Sequence, residues 1–145
     1  MFDNILVPTD GSDLSEKAVK AAIRFASING SKLVAISVVE PYPIAVVSEA
    51  IVLPDLDQYE QQKRELAEQV LKAVADDAKE LGVTCETRVA VSFSPYEEII
   101  KAAKSCNCDA IFMASHGRKG LNKLFLGSET QKVLAHTTIP VMVFR

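Results

Sequence analysis

Apolar positions along the chain switch between two rhythms. Asn4 to Thr9 (NILVPT) and Leu33 to Val39 (LVAISVV) are short, nearly uninterrupted apolar runs, as strands buried on both faces are. Between them Leu14, Ala18, Ala21, Ala22 and Phe25 recur at three- and four-residue intervals. That spacing predicts a helix opened by Ser12 or Asp13 and stopped at Asn29-Gly30. The helical period returns from Asp57 to Leu81 through Leu66, Val70, Ala73, Val74 and Leu81, with Asp57 and Glu60 as a capping box and Gly82 as the stop. Val83 to Val91 alternates sides and reads as a third strand. Ser94 as N-cap, Pro95 at the first helical position and Glu97 closing a second capping box predict another helix, with Ile99, Ile100 and Ala103 facing inward. Asp109 to Ala114 reads as strand four, Ser128 opens a short last helix, and Pro140 to Phe144 reads as strand five.

Strands and helices in this alternation specify an α/β domain, a three-layer sandwich with a mainly parallel sheet between two helical layers. Ligands of such sheets bind beyond the carboxyl ends of the strands, where the strand order reverses. Pro41 to Leu56 breaks the pattern: it has three prolines and no period, and reads as a lid, a partner surface or a mobile segment.

Composition narrows the function. At 145 residues the chain is the size of one domain, and 48% apolar with 24% charged residues is the balance of a soluble globular protein. A net charge of −3 argues against a nucleic-acid surface, so any anion site has to be local. No apolar run is long enough to span a membrane, and the start MFDNILV lacks the basic region of a secretory signal, so a cytoplasmic protein is expected. Cys85, Cys106 and Cys108 form no disulfide framework. The lone C-x-C at 106–108 has no histidine nearby to complete a zinc site, and reads as plain thiols.

The candidate chemistry lies in MASHGRKGLNKLFLGSET, residues 113–130, which leaves strand four at its carboxyl end and runs into the last helix. Unpaired amides and the dipole at a helix start stabilise an anion, and Gly117, Gly120 and Gly127 let backbone approach one closely. Arg118, Lys119 and Lys123 add positive charge, and the Ser128 hydroxyl can donate to phosphate. The alternative is that Ser128 and Gln131 cap their own helix. Glu129, in the first turn, would compete with a bound anion. Asp10, in TDGS, can set a turn before the first helix, and Val38 and Met113 can be core residues.

The stretch is neither a Walker loop nor a dinucleotide G-x-G-x-x-G. It resembles the signature of the universal stress protein family, Gly-x2-Gly-x9-Gly-[Ser/Thr], read here as Ala114-x2-Gly117-x9-Gly127-Ser128 with alanine in place of the first glycine. NILVPTDGS at 4–12, AISVVEP at 35–41 and KVLAHTTIPVMVFR at 132–145 are similar to family segments in the same order, so the likeness spans the chain. The resemblance implies a five-stranded parallel sheet of order 3-2-1-4-5, an adenine nucleotide alpha-hydrolase-like fold. It also implies that Pro8, Thr9 and Asp10 lie at the nucleoside end of bound ATP with Val38 against the adenine. Met113 and Ala114 would run along the ribose, and Gly117, Gly127, Ser128 and Thr130 would hold the phosphates. A homodimer through the last strand, Pro140 to Phe144, is implied as well. An alanine at position 114 would cost about 1–2 kcal/mol if the backbone there needed positive φ.

For catalysis, Asp10 could hold Mg²⁺ and His116 could act as a base, but neither belongs to a recognisable catalytic set. His136 reads as a C-terminal charge or cap. The expectation is an ATP-binding regulatory module, bound nucleotide setting the Pro41 to Leu56 segment for a protein partner. The competing readings are a nucleotide-free dimeric interaction protein and a slow ATPase.

Overall fold

The structure, a computed structural model, describes residues 1–43, 55–118 and 125–145. Its elements follow the predicted order: β1 Asn4–Pro8, α1 Asp13–Asn29, β2 Lys32–Val39, α2 Leu56–Glu80, β3 Cys85–Val91, α3 Pro95–Ser105, β4 Ala110–Ala114, α4 Ser128–His136 and β5 Val141–Phe144. Every strand pairing is parallel, and the sheet order is β3-β2-β1-β4-β5. The central strands are apolar on both sides because both sides are covered. On one face Val19, Ala22, Ile23 and Ala26 of α1 and Leu71, Val74 and Ala78 of α2 bury Ile5, Val7, Ala35 and Phe112. On the other, Ile99, Ala102 and Ala103 of α3 and Val133 of α4 bury Leu6, Ile36, Ile111 and Met113.

The strand order reverses at β1, which lies between β2 and β4. The β1/β2 ladder runs the length of β1, from Asn4↔Lys32 to Pro8↔Ile36. The β1/β4 ladder consists of Ile5↔Ala110 and Leu6↔Ile111, so beyond Leu6 the carboxyl ends of β1 and β4 are no longer paired with each other, though each stays paired with its outer neighbour. Pro8 has no amide to donate there. The switch point at which sheets of this topology form their ligand crevice lies between these two ends.

Local sequence explains most helix ends. Ser12 caps α1, its hydroxyl accepting from the Ser15 amide at 3.3 Å, and Gly30 ends it in the left-handed region with φ 72°. Two predicted capping boxes are not made. For α2, Asp55 replaces the predicted Asp57–Glu60 box: its carboxylate takes the amides of Asp57 and Gln58, each at 3.1 Å. This satisfies two amides at once and leaves Asp57 in the first turn, where its charge favours the dipole. Glu60 instead pairs with Arg64 one turn on. For α3, the Ser94 side chain makes no cap bond, and Glu97 accepts from the Tyr96 hydroxyl at 3.0 Å. The missing cap comes from the first turn of α4.

The Pro41 to Leu56 segment falls largely on residues 44–54, so its predicted part as a lid, a partner surface or a mobile segment lies outside the described residues, while Leu56 is the first residue of α2. Among the described residues, no helix is long and apolar enough to cross a membrane.

Candidate functional site

Two loops meet across the crevice. From β1 come Pro8, Thr9 and Asp10. Thr9 is buried, its amide donating to Ile36 O at 2.9 Å and its hydroxyl bonded to that of Ser15 at 3.1 Å. Asp10 stands at the rim. One of its carboxylate oxygens accepts from the Ser12 amide at 3.0 Å, the other from the Arg118 amide at 2.8 Å, so a single side chain clasps the β1 loop to the β4 loop. Burial pushes the Asp10 carboxyl up, but hydrogen bonds from Ser12 (hydroxyl and amide), the Arg118 amide and Ser15 together outweigh it and hold it below its ordinary value. Asp10 is therefore an anion at neutral pH.

That clasp explains Gly117. Its φ is not positive, yet a Cβ there would land on the Asp10 carboxylate oxygen, so any side chain at 117 would push Asp10 off its bond to the Arg118 amide. Gly127 is constrained in the same way. With φ −61° and ψ 152° it is the N-cap of α4, and a Cβ would sit 3.1 Å from His116 Cα and from Ser115 O. Its amide donates to Ser115 O at 2.7 Å. Gly11, at φ +76°, gives room to the Arg118 guanidinium: a Cβ there would lie 3.0 Å from Nη2. One cation of the stretch thereby lies beside the β1 loop. Lys119, Gly120 and Lys123 lie outside the described residues.

The start of α4 leaves its donors open. The Gln131 amide is the first to find a helical carbonyl, Gly127 O at 3.0 Å, so the amides of Ser128, Glu129 and Thr130 have none behind them. Ser128 is the first helical residue rather than the cap, and is exposed; among the described residues its hydroxyl has no partner. The alternative Ser128–Gln131 box is not formed, since the Gln131 side chain donates to Leu126 O at 2.7 Å. Thr130 is 2% exposed, and its hydroxyl donates to Ala114 O at 3.0 Å. What Thr130 leaves open is its backbone amide, since its hydroxyl is committed to β4. Glu129 turns away altogether, accepting from the Tyr96 amide at 2.9 Å.

Ala114 is a regular strand residue, paired with Phe144, and its φ is not positive. The backbone strain that an alanine might have carried is absent. Strand alternation puts its methyl on the α1/α2 side with Phe112. Met113, 4% exposed, and half-buried Val38 belong to the opposite core layer, which is the side Pro8 shares with Leu6 by the same alternation. Val38 lies on β2, one strand beyond Pro8. The structure thus gathers Thr9, Asp10, Ala114 and Gly117 around the crevice and Gly127 and Ser128 at its α4 wall.

Sequence reasoning missed Ser115. It is buried, its amide donates to Phe144 O and its carbonyl receives the Gly127 amide, both at 2.7 Å. Because these are backbone bonds, no residue type signals them. His116 Nδ1 lies 3.0 Å from Ser115 Oγ, and His136 Nδ1 donates to Lys132 O at 2.8 Å near the helix end. Among the described residues no three metal-binding side chains come together, and Cys85, Cys106 and Cys108 are free thiols. Burial pushes the Cys108 thiol up to about 12.

Comparison with known proteins adds to this geometry. The model of the universal stress protein family matches residues 1–145. A universal stress protein of Methanocaldococcus jannaschii is 32% identical over 148 residues, covering all of this chain and 83% of the relative. One from Thermus aquaticus is 32% identical over 145 residues and covers both chains fully. Among solved structures, a universal stress protein from Lactobacillus plantarum superposes with TM-score 0.78 at 25% identity, covering 99% of this chain and 97% of its own. A universal stress protein in complex with cAMP gives TM-score 0.72 at 23% identity, with 99% and 97% covered. One from Archaeoglobus fulgidus in complex with dAMP gives 0.70 at 17%, with 99% and 98% covered.

Proposed function

The chain belongs to the universal stress protein family, and we propose that it binds an adenine nucleotide, ATP, in the crevice between the carboxyl ends of β1 and β4. The observation that carries this reading is the pair of glycines without positive φ, Gly117 and Gly127, each hemmed in by neighbouring atoms beside the open amides of Ser128, Glu129 and Thr130. Backbone brought this close to a helix start fits a phosphate group. The nucleotides in the cAMP and dAMP complexes support the adenine part of the reading.

In this reading Pro8, Thr9 and Asp10 border the nucleoside with Val38 against the base, and Met113 and Ala114 run along the ribose. Thr9 contributes shape and backbone, since its hydroxyl is held by Ser15. Gly117, Gly127 and Ser128 take the phosphates, and Thr130 adds an amide while its side chain anchors α4 to β4. Among the described residues Asp10 is the one carboxylate at the crevice, which suits Mg²⁺ shared with phosphate oxygens and water rather than a protein cage. The metal would supply charge neutralisation there. His116 Nδ1 lies 3.0 Å from Ser115 Oγ, but Ser115 is buried, only 2% exposed, and among the described residues no third side chain orients the imidazole, which favours a module that holds nucleotide over one that turns it over.

The proposed setting is a cytoplasmic regulatory protein acting as a homodimer. β5 is an outer strand of the sheet, and its Met142 is 44% exposed. An apolar outer edge of this kind is paired or covered in native proteins, and pairing with a second copy of β5 does both.

The test is thermal denaturation with and without ATP and Mg²⁺, followed by identification of the nucleotide retained. Ligand at a hundred times Kd adds about 2.7 kcal/mol of stability. Absence of any melting shift with millimolar ATP, ADP and AMP sinks the proposal. Stoichiometric ADP accumulating over time revives the ATPase.

A further inference from the structure

A carboxylate in the first turn of a helix normally lies over that helix's own amides, where the dipole favours it. Glu129 occupies that position on α4 and does otherwise. Its Oε2 accepts from the Tyr96 amide at 2.9 Å, at the start of α3 and thirty-three residues away in sequence. Its Oε1 is 3.2 Å from Lys132 Nζ. Lys132 in turn lies over the Tyr96 ring at 5.6 Å, and that ring packs against His136 with centroids 5.1 Å apart. The α3 end needs this partner. Pro95 has no amide and the Ser94 side chain makes no cap bond, so a residue of the neighbouring helix caps α3.

Three bonds therefore fix the first turn of α4 from three directions. The Gly127 amide holds Ser115 O, the Thr130 hydroxyl holds Ala114 O, and the Glu129 carboxylate holds the Tyr96 amide. The first two tie the turn to β4. The third ties it to α3, draws the only acid of the turn away from the open amides, and places Lys132 beside that charge.

The geometry points to Glu129 as a positioning residue of the anion site: by capping α3 it aims the open amides of α4 and keeps its own charge out of them. This rests on the reading that phosphate binds at the start of α4. The same contact removes the competition that an acid at this position would otherwise create.

Glu129→Ala and Glu129→Gln test the role, with ATP and adenosine titrated calorimetrically and Tyr96 amide exchange followed by NMR without ligand. A glutamine oxygen can still accept from the Tyr96 amide. In Glu129→Ala the Tyr96 amide should exchange at least about tenfold faster, as expected for loss of a hydrogen bond to a charged group, and ATP should bind about five- to tenfold more weakly because part of that loss reaches the α4 amides. Adenosine affinity should stay unchanged. Glu129→Gln should restore both slow exchange and ATP affinity. Wild-type ATP affinity in Glu129→Ala, equal losses for ATP and adenosine, or a Glu129→Gln protein as weak as Glu129→Ala each overturn the role. If the wild-type protein binds ATP and the variants match it, only the role of Glu129 fails. If the wild-type protein binds no ATP, the reading of the site fails and the role with it.

Discussion

Ala114→Gly restores the glycine found at the first position of the family spacing, and two physical accounts of that glycine predict opposite results. If the backbone at 114 were strained, glycine would relieve the strain and stabilise the protein. The structure excludes strain: Ala114 pairs with Phe144 within β4, and among the described non-glycine residues positive φ occurs at Asn107, not here. What glycine removes is a methyl group on a residue only 8% exposed. Its lost burial costs about 0.8 kcal/mol, and glycine in a strand interior adds about 0.5–1 kcal/mol of backbone entropy. The sum is about 1.5 kcal/mol, or a fall in Tm of about 5 °C for a chain of this size. The assay is circular-dichroism melting of both proteins without nucleotide, then with ATP. Because the methyl lies on the α1/α2 side, the ATP-induced shift should be retained on the lower baseline. A nucleotide-free Tm equal to or above the wild-type value would refute the absence of strain, and with it the placement of Ala114 as an ordinary strand residue.

Gly117→Ala should drive a methyl onto the Asp10 carboxylate and break its bond to the Arg118 amide, costing about 1–3 kcal/mol in stability and weakening ATP binding by calorimetry. Combined with Asp10→Ala, it should cost little more than either change alone; strict additivity would mean the two residues do not touch. Asp10 also sets an acid limb. Its folded-state pKa is below its ordinary value of 3.8, so its stabilisation is complete above that pH and lost as pH falls through the folded value. Urea titrations in the acid range should show Asp10→Asn flattening this limb; an unchanged slope would mean the hydrogen bonds do not hold in solution. Met142→Glu puts a charge on the exposed side of β5 and should convert a dimer to a monomer in sedimentation velocity; a dimer that survives it pairs elsewhere.

The fold was legible because its signals are local or periodic. The runs at Asn4 and Leu33 are apolar throughout because helices cover both faces, and Gly30 and Gly82 adopt the positive φ that helix exits favour. The family spacing in turn pointed to Gly117 and Gly127, although their reason for being glycine is a close contact that only the fold creates. What stayed hidden was long-range or backbone-borne. Ser94 and Glu97 make a sound capping box on paper, but a carboxylate from another helix displaces it. Asp55 outcompetes Asp57 for the same helix start, a contest between two equivalent residue types that local pattern does not decide. Thr130 has the right chemistry for phosphate, yet its proton is committed to Ala114 O. Ser115 acts through its amide and carbonyl, which every residue has.

The bond from the Gly127 amide to Ser115 O has a consequence for how this site can vary. It brings the chain leaving β4 back to its point of departure before α4 begins, so the connection from Ser115 to Gly127 is closed at its base. Lengthening a closed loop is inexpensive, about 0.6 kcal/mol for each doubling. The two ends of this connection are set by β4 and α4, so a change in its length is felt little at either end. Insertions after Arg118 would thus change what surrounds the start of α4 without moving its open amides, which makes this connection the natural place to diversify specificity or graft a reporter.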